Sequence, residues 1–202
     1  MTDVELEAAP DEILLARIAA GERHSLSVLF RRRQQSVYRF ALHLTGSPAI
    51  ADDVTQDVFV TVIREAGRFE AGRATVSAWL GGIARNFVRR RLALEHGTAS
   101  LDADVDIAVP AADASALEEL TSAEAIDALR RAVLSLPLRY REVIVLCDLQ
   151  EMTYVEAAVT LGCPVGTVRS RLNRGRALLT AKMLAAQTRR AAIQPGMTRC
   201  LA

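Results

Sequence analysis

From Thr153 to Leu179 the sequence runs TYVEAAVTLGCPVGTVRSRLNRGRALL, and its second half carries the side-chain types that read nucleic acid. Projected on a helix at about 100° per residue, Val165, Val168, Leu172 and Leu179 share one face, with Ser170, Asn173 and Arg174 opposite and Arg169 and Arg171 flanking. A guanidinium forks to guanine, a carboxamide pairs with adenine, and both bind phosphate, so this polar face suits the major groove of duplex DNA.

Such a helix needs elements that hold it. Thr153 and Glu156 have the spacing of a capping box, Gly162 suits the left-handed residue that ends a helix, and Pro164 fits the first turn of the next one. Together they spell a helix-turn-helix. The charge distribution agrees with a polyanion partner. The formal net charge is only +1, yet residues 1–96 hold 13 basic and 12 acidic side chains, residues 97–129 none and 8, and residues 130–202 12 and 4. No acidic residue follows Glu156, whereas Arg169, Arg171, Arg174, Arg176, Lys182, Arg189, Arg190 and Arg199 do.

The rest of the chain reads as helices as well. Half of the 202 residues are hydrophobic, only 4% are aromatic, and Ala, Leu and Arg dominate over β-branched runs, which predicts an all-α protein. Residues 97–120, with Gly, Ser, Pro110, many Ala and scattered Asp but no sustained helical stripe, read as a linker between two small helical domains. A helix opening at Asp11 carries Ile13, Leu14 and Ile18 and stops at Gly21. A second carries Leu26, Leu29, Phe30, Val37, Phe40, Ala41 and Leu44 and stops at Gly46. A third runs from about Ala49 to Glu65 with Val54, Val58 and Val62 inward, leaving Asp53, Gln56 and Asp57 on a polar face. After the loop FEAGRAT comes a fourth, about Val76 to Leu94, with Val76, Trp79, Leu80, Ile83 and Phe87 inward and Arg85, Asn86 and Arg89 on the far side. Helices resume near Ala123, break at Pro137, run from Tyr140 to Leu149, and end in two short helices around Gly162-Cys163-Pro164.

Other classes of function lack their residues. His24, His43 and His96 are scattered, no glycine-rich loop follows a strand, and Asp52 with Asp53 has no metal-binding companion, so no catalytic residue, metal or cofactor is expected. Cys147, Cys163 and Cys200 have neither disulfide nor zinc spacing. The acidic start is unlike a signal peptide and no uncharged run is long enough to span a bilayer, so a cytoplasmic protein without membrane insertion is expected.

In order, ADDVTQDVF, the WLGGIARN helix, an acidic linker and LGCPVGTVRSRLNRGRALL resemble the extracytoplasmic-function (ECF) subfamily of the sigma-70-type RNA polymerase sigma factors, over about Asp11 to Met183. The resemblance implies a region 2 at residues 11–96, a linker at 97–122, a region 4 at 123–184 and a basic tail at 185–202. Region 2 would bind core polymerase, on the clamp coiled coil of the largest subunit, through Asp53, Gln56 and Asp57. It would recognise and melt the minus-ten element through Arg73, Arg85, Asn86 and Arg89. Region 4 would read the minus-thirty-five element with Arg169, Ser170, Arg171, Asn173 and Arg174 and contact the flap of the second-largest subunit.

The same resemblance implies promoter-directed transcription initiation in a stress or envelope response, held in check by an anti-sigma factor. The acidic linker would serve as a tether or as a mimic of nucleic acid near the active centre. Two residues depart from the family pattern: Arg90 stands where an acid is usual, and Gly175 where Ala is common. The alternative is a stand-alone helix-turn-helix repressor or activator, which would share the recognition helix but leave residues 11–95 without a task.

Overall fold

Glycine and proline set where the first helices stop. In a computed structural model, which describes residues 3–96 and 122–193, helix α1 (Asp3–Ala8) is followed by α2 (Asp11–Ala19) and α3 (Arg23–Thr45). Gly21 at φ 90° and Gly46 at φ 72° adopt the left-handed backbone that ends α2 and α3. Ser47 then accepts a hydrogen bond from the Ile50 backbone N–H at 3.3 Å, and Pro48 opens α4 (Pro48–Glu65). A short 3-10 turn, Ala66–Arg68, and a loop lead to α5 (Val76–His96).

Buried apolar faces and one buried carboxylate hold this first unit together. Val28, Leu29, Val37, Phe40, Ala41 and Leu44 of α3 meet Val54, Val58 and Val62 of α4 and Leu80, Ala84 and Val88 of α5. Asp11, only 7% exposed, receives the guanidiniums of Arg32, at 2.8 Å, and Arg33, which fastens α2 to α3.

The inward stripes differ from the expected ones in three helices of this unit, and in α3 Val28 is fully buried while Phe30 is 36% exposed. Leu15 is fully buried in α2 while Ile13 is 46% exposed. In α5 the fully buried row is Val76, Leu80, Ala84 and Val88, and Trp79, Ile83 and Phe87 are half-buried beside it. Trp79 packs edge-on against Phe69 at 5.6 Å. The reason for the shift in α5 is that it is covered on two sides, by its own unit and by the second one.

The second unit comprises α6 (Ser122–Leu134), α7 (Leu138–Ile144), a π turn at Val145–Leu149, α8 (Tyr154–Leu161) and α9 (Val165–Ile193). Instead of the short final helix expected, α9 is 29 residues long. After Pro164 nothing breaks it, since Gly175 costs only about 1 kcal/mol in a helix interior. A Cβ at Gly175 would stand 3.2 Å from Ile144 Cγ1 and 3.5 Å from Tyr140 Cβ, so the glycine lets α9 lie directly on α7. Among the described residues there is no strand, as the all-α reading expects. The linker from 97 to 121 and the tail beyond 193 lie outside the described residues.

The two units share one continuous hydrophobic core, with α5 against α8 and the end of α3 against α6 and the π turn. At their seam the chain leaves the π turn through Gln150, whose side-chain amide donates to the Ser36 carbonyl at 2.7 Å, and Glu151, at φ 56°. That backbone costs an L-residue about 1–2 kcal/mol. Glu151→Gly should therefore raise stability by about 0.5–1 kcal/mol once the extra freedom of unfolded glycine is subtracted, visible as a higher Tm in thermal unfolding.

Candidate nucleic-acid interface

The helix-turn-helix forms as its sequence dictates. The Thr153 hydroxyl accepts from the Glu156 backbone N–H at 3.2 Å, and Glu156 Oε2 accepts from the Thr153 backbone N–H at 2.9 Å, closing the capping box at the start of α8. Gly162 at φ 63° ends α8 and turns the chain into α9. Val168 and Leu172 are buried beneath α9, so the opposite side of its first turns points to solvent.

Four of the five expected recognition residues are on that open side. Arg169, Ser170, Asn173 and Arg174 are exposed and Arg171 is half-buried. The Arg169 guanidinium lies over the Tyr154 ring at 5.9 Å, and the Ser170 hydroxyl donates to the Thr167 carbonyl at 3.0 Å. Arg176, one turn further, is instead held by both carboxylate oxygens of Asp148 in the π turn, at 2.6 and 3.1 Å, and so braces the helix.

The residues expected to meet the minus-ten element are distributed over three places. Arg73 stands on the loop before α5, exposed and paired with Glu70 at 2.8 Å. Asn86 is exposed, as is Arg90, whose guanidinium lies 6.0 Å from the centre of the Phe87 ring. Arg85 and Arg89 face the second unit. Arg85 Nε donates to Glu142 Oε1 at 2.8 Å, and Arg89 Nη1 donates to Oε1 at 3.2 Å and Oε2 at 3.4 Å. The Glu142 side chain is 0% exposed, against 18% for Arg85 and 26% for Arg89.

Further polar contacts cross the same seam. The Thr160 hydroxyl donates to the Ala78 carbonyl at 3.1 Å, the Thr75 hydroxyl donates to Glu156 Oε1 at 3.0 Å, and Arg141 donates to the Leu44 carbonyl. Gly81 makes room for Thr160, whose methyl would be 3.1 Å from a Cβ placed there.

On α4, Asp53 and Asp57 are both engaged by Arg91 of α5, at 2.8 and 3.2 Å, with Gln56 exposed beside them. Neither Arg91 nor Glu142 stood out in the sequence. Glu142 had a usable signal: it immediately precedes the apolar run Val143–Cys147, and a carboxylate on a helix that is mostly core must be paired. Nothing in local spacing, however, says that its partners lie more than fifty residues upstream.

Among the described residues no cluster of three or more His, Cys, Asp or Glu side chains is placed to hold a metal ion, and no helix is long and apolar enough to cross a membrane. The half-buried Cys147 thiol is pushed above its ordinary range by burial and by neighbouring Asp148.

Comparison with known proteins matches the same two segments. The family described as Sigma-70 region 2 matches residues 29–96, and Sigma-70, region 4 matches residues 126–179. The ECF RNA polymerase sigma factor SigM of Mycobacterium tuberculosis is 37% identical over 171 residues, which are 84% of this chain and 82% of that protein. SigE of Mycolicibacterium smegmatis is 37% identical over 152 residues, 73% of this chain; the chain spans 57% of that relative's length. Among solved structures, CnrH in complex with the cytosolic domain of CnrY superposes with a TM-score of 0.66 at 27% identity, over 87% of this chain and 97% of CnrH.

The cap that orients the helix-turn-helix is open to a pH test. Its hydrogen bonds from the Thr153 backbone N–H, then from the Thr153 hydroxyl, hold the Glu156 carboxyl below the usual carboxylate range. A lowered carboxyl contributes stability above its unfolded pKa of about 4.3 and loses it as pH falls through the folded value. Thr153→Ala should cost about 1 kcal/mol near neutral pH, and its deficit against the unsubstituted protein should shrink below about pH 4 in denaturant titrations.

Proposed function

We propose, since this chain belongs to the extracytoplasmic-function subfamily of the sigma-70-type RNA polymerase sigma factors, which bind core polymerase and direct promoter-specific initiation, that its two units divide that work as their surfaces differ. Residues 123–184 read the minus-thirty-five element with Arg169, Ser170, Arg171, Asn173 and Arg174 and dock on the flap of the second-largest subunit. Residues 11–96 bind the clamp coiled coil through Asp53, Gln56 and Asp57 and capture the opened minus-ten strand with Arg73, Arg85, Asn86 and Arg89. Residues 97–122 connect the two as an acidic linker, and residues 185–202 form a basic tail.

The observation that carries this reading is the face of α9. It exposes Arg169, Ser170, Asn173 and Arg174 in a stretch without any carboxylate, on a helix fixed by a capped and glycine-turned partner. The exposed Arg90 replaces an acid with a cation beside Asn86, which favours phosphate contact on that helix.

The protein works in the cytoplasm, as a specificity subunit with neither catalytic chemistry nor a cofactor of its own. A dedicated anti-sigma factor restrains it until a stress or envelope signal arrives. The seating of the CnrY cytosolic domain on CnrH, a protein of the same fold, supports such a partner.

Run-off transcription with purified core polymerase on genomic fragments tests the reading. New, discrete start sites that depend on the protein are expected. Silence, together with duplex binding by the protein alone, would instead favour a repressor. Arg174→Ala should weaken promoter recognition about tenfold or more while leaving core binding intact. Asp53→Lys with Asp57→Lys should do the reverse, abolishing capture by core in a pull-down and sparing duplex binding. Equal loss of both activities in either variant would contradict the division of labour.

A further inference from the structure

We propose that Arg90 holds a backbone phosphate of the opened strand beside the base that Asn86 contacts, so that α5 anchors single-stranded DNA through an arginine that meets no carboxylate among the described residues. This rests on the assignment of α5 to the minus-ten strand made above, and it adds to that assignment a residue and a kind of contact.

Charge carries the first half of the argument. From Ala71 to Leu94 there is no acidic residue, and there are five arginines, Arg73, Arg85, Arg89, Arg90 and Arg91. The fold brings carboxylates to four of them from outside that stretch. Glu70 takes Arg73 at 2.8 Å, Glu142 takes Arg85 and Arg89, and Asp53 with Asp57 takes Arg91 at 2.8 and 3.2 Å. Arg90 is exposed and rests by the Phe87 ring instead, 6.0 Å from its centre. A guanidinium without a carboxylate on its donors is open to a phosphate, whose oxygens it grips by the same forked geometry.

Position carries the second half. Asn86 is exposed one turn before Arg90, and residues four apart on a helix stand about 5–6 Å apart at their Cβ atoms. Helical side chains lean toward the N-terminus, so the Arg90 guanidinium is carried back over the turn of Asn86 and Phe87, as its contact with the Phe87 ring shows. A carboxamide that pairs with a base edge and a guanidinium that binds phosphate thus share one patch.

Ile83 and Phe87, both half-buried, give that patch an apolar border. An unstacked base can cover such a border, whereas a duplex keeps its base faces inside the stack, so the arrangement selects a single strand. Asn86 and Arg90 are both exposed in the free chain, and the contact needs no rearrangement.

Fluorescence anisotropy of the full chain tests this with a random-sequence single-stranded oligodeoxynucleotide and a random-sequence duplex, each over a range of salt. The unsubstituted chain should bind the single strand. Arg90→Ala should lower that affinity about fivefold and reduce the slope of log affinity against log salt by about 0.7, the value for one phosphate contact on a single strand, with duplex affinity unchanged. Arg90→Lys should keep the slope, because an ammonium still neutralises a phosphate, and Arg90→Asp should lose more affinity than Arg90→Ala. Asn86→Ala should weaken binding at constant slope, since a neutral side chain releases no counterion. Arg23→Ala, which removes an exposed cation at the start of α3, should leave affinity and slope as they are.

A single strand that does not bind overturns the proposal, as does an unchanged slope in Arg90→Ala, an equal loss in Arg23→Ala or an equal loss on duplex. Promoter opening, read as permanganate reactivity on a fragment with a start site found by run-off transcription, separates this idea from the one beneath it. Opening lost in Asn86→Ala, alongside unaltered single-strand binding in Arg90→Ala, keeps the minus-ten assignment and discards the phosphate contact. Opening retained in both Asn86→Ala and Arg90→Asp discards both.

Discussion

A carboxylate without solvent exposure must be met by hydrogen-bonding cations, because leaving such a charge uncompensated costs about 3–5 kcal/mol. Glu142 is in that position, and Arg85 and Arg89 are what meets it. Much of the arrangement of the molecule follows from this pairing. The basic side of α5 faces Glu142 of α7, and Ala78 and Gly81 lie under Thr160 of α8. The pairing also lets the apolar residues of both units merge into one core. Desolvation of the charges offsets much of their attraction, so the pair itself adds little net stability, whereas removing either side would leave a buried charge unmet.

The helix-turn-helix stands under separate constraints, which are local. Its first helix is started by the Thr153–Glu156 box and stopped by Gly162, and its second is set against α7 by the missing side chain at Gly175. Asp148 grips Arg176 from the π turn, and Arg141 reaches the carbonyls of Leu134 and Leu136 to close the end of α6. These contacts within the second unit fix the exposed polar face of α9 against α7 and α8.

The two sets of ion pairs on region 2 differ in how readily a partner can exchange them. Asp53 and Asp57 meet Arg91 at the surface, where water screens the pair and its net contribution is small, so another charged surface displaces Arg91 with little loss. Arg85 and Arg89 meet Glu142 at a carboxylate without solvent exposure, where water does not screen the charges. Burial, rather than the identity of the charges, divides an ion pair that is screened by water from one that is shielded from it.

The sequence alone determined what depends on neighbours within a few turns. Helix ends at Gly21, Gly46 and Gly162, the cap at Thr153, the inward Val168 and Leu172, and the exposed Arg169, Asn173 and Arg174 all follow from side-chain periodicity and backbone preference, and the order of motifs carried the family. The length of α9 and the inward row of α5 did not follow, because a helix of Ala, Leu and Arg has no internal stop and α5 is covered from two directions. Only the tertiary structure decided which arginines of WLGGIARNFVRRRL are free. Helical spacing puts Arg85, Asn86 and Arg89 together, but the partner of Arg85 lies 57 residues away, and a contact at that separation is set by how two cores dock rather than by any local pattern.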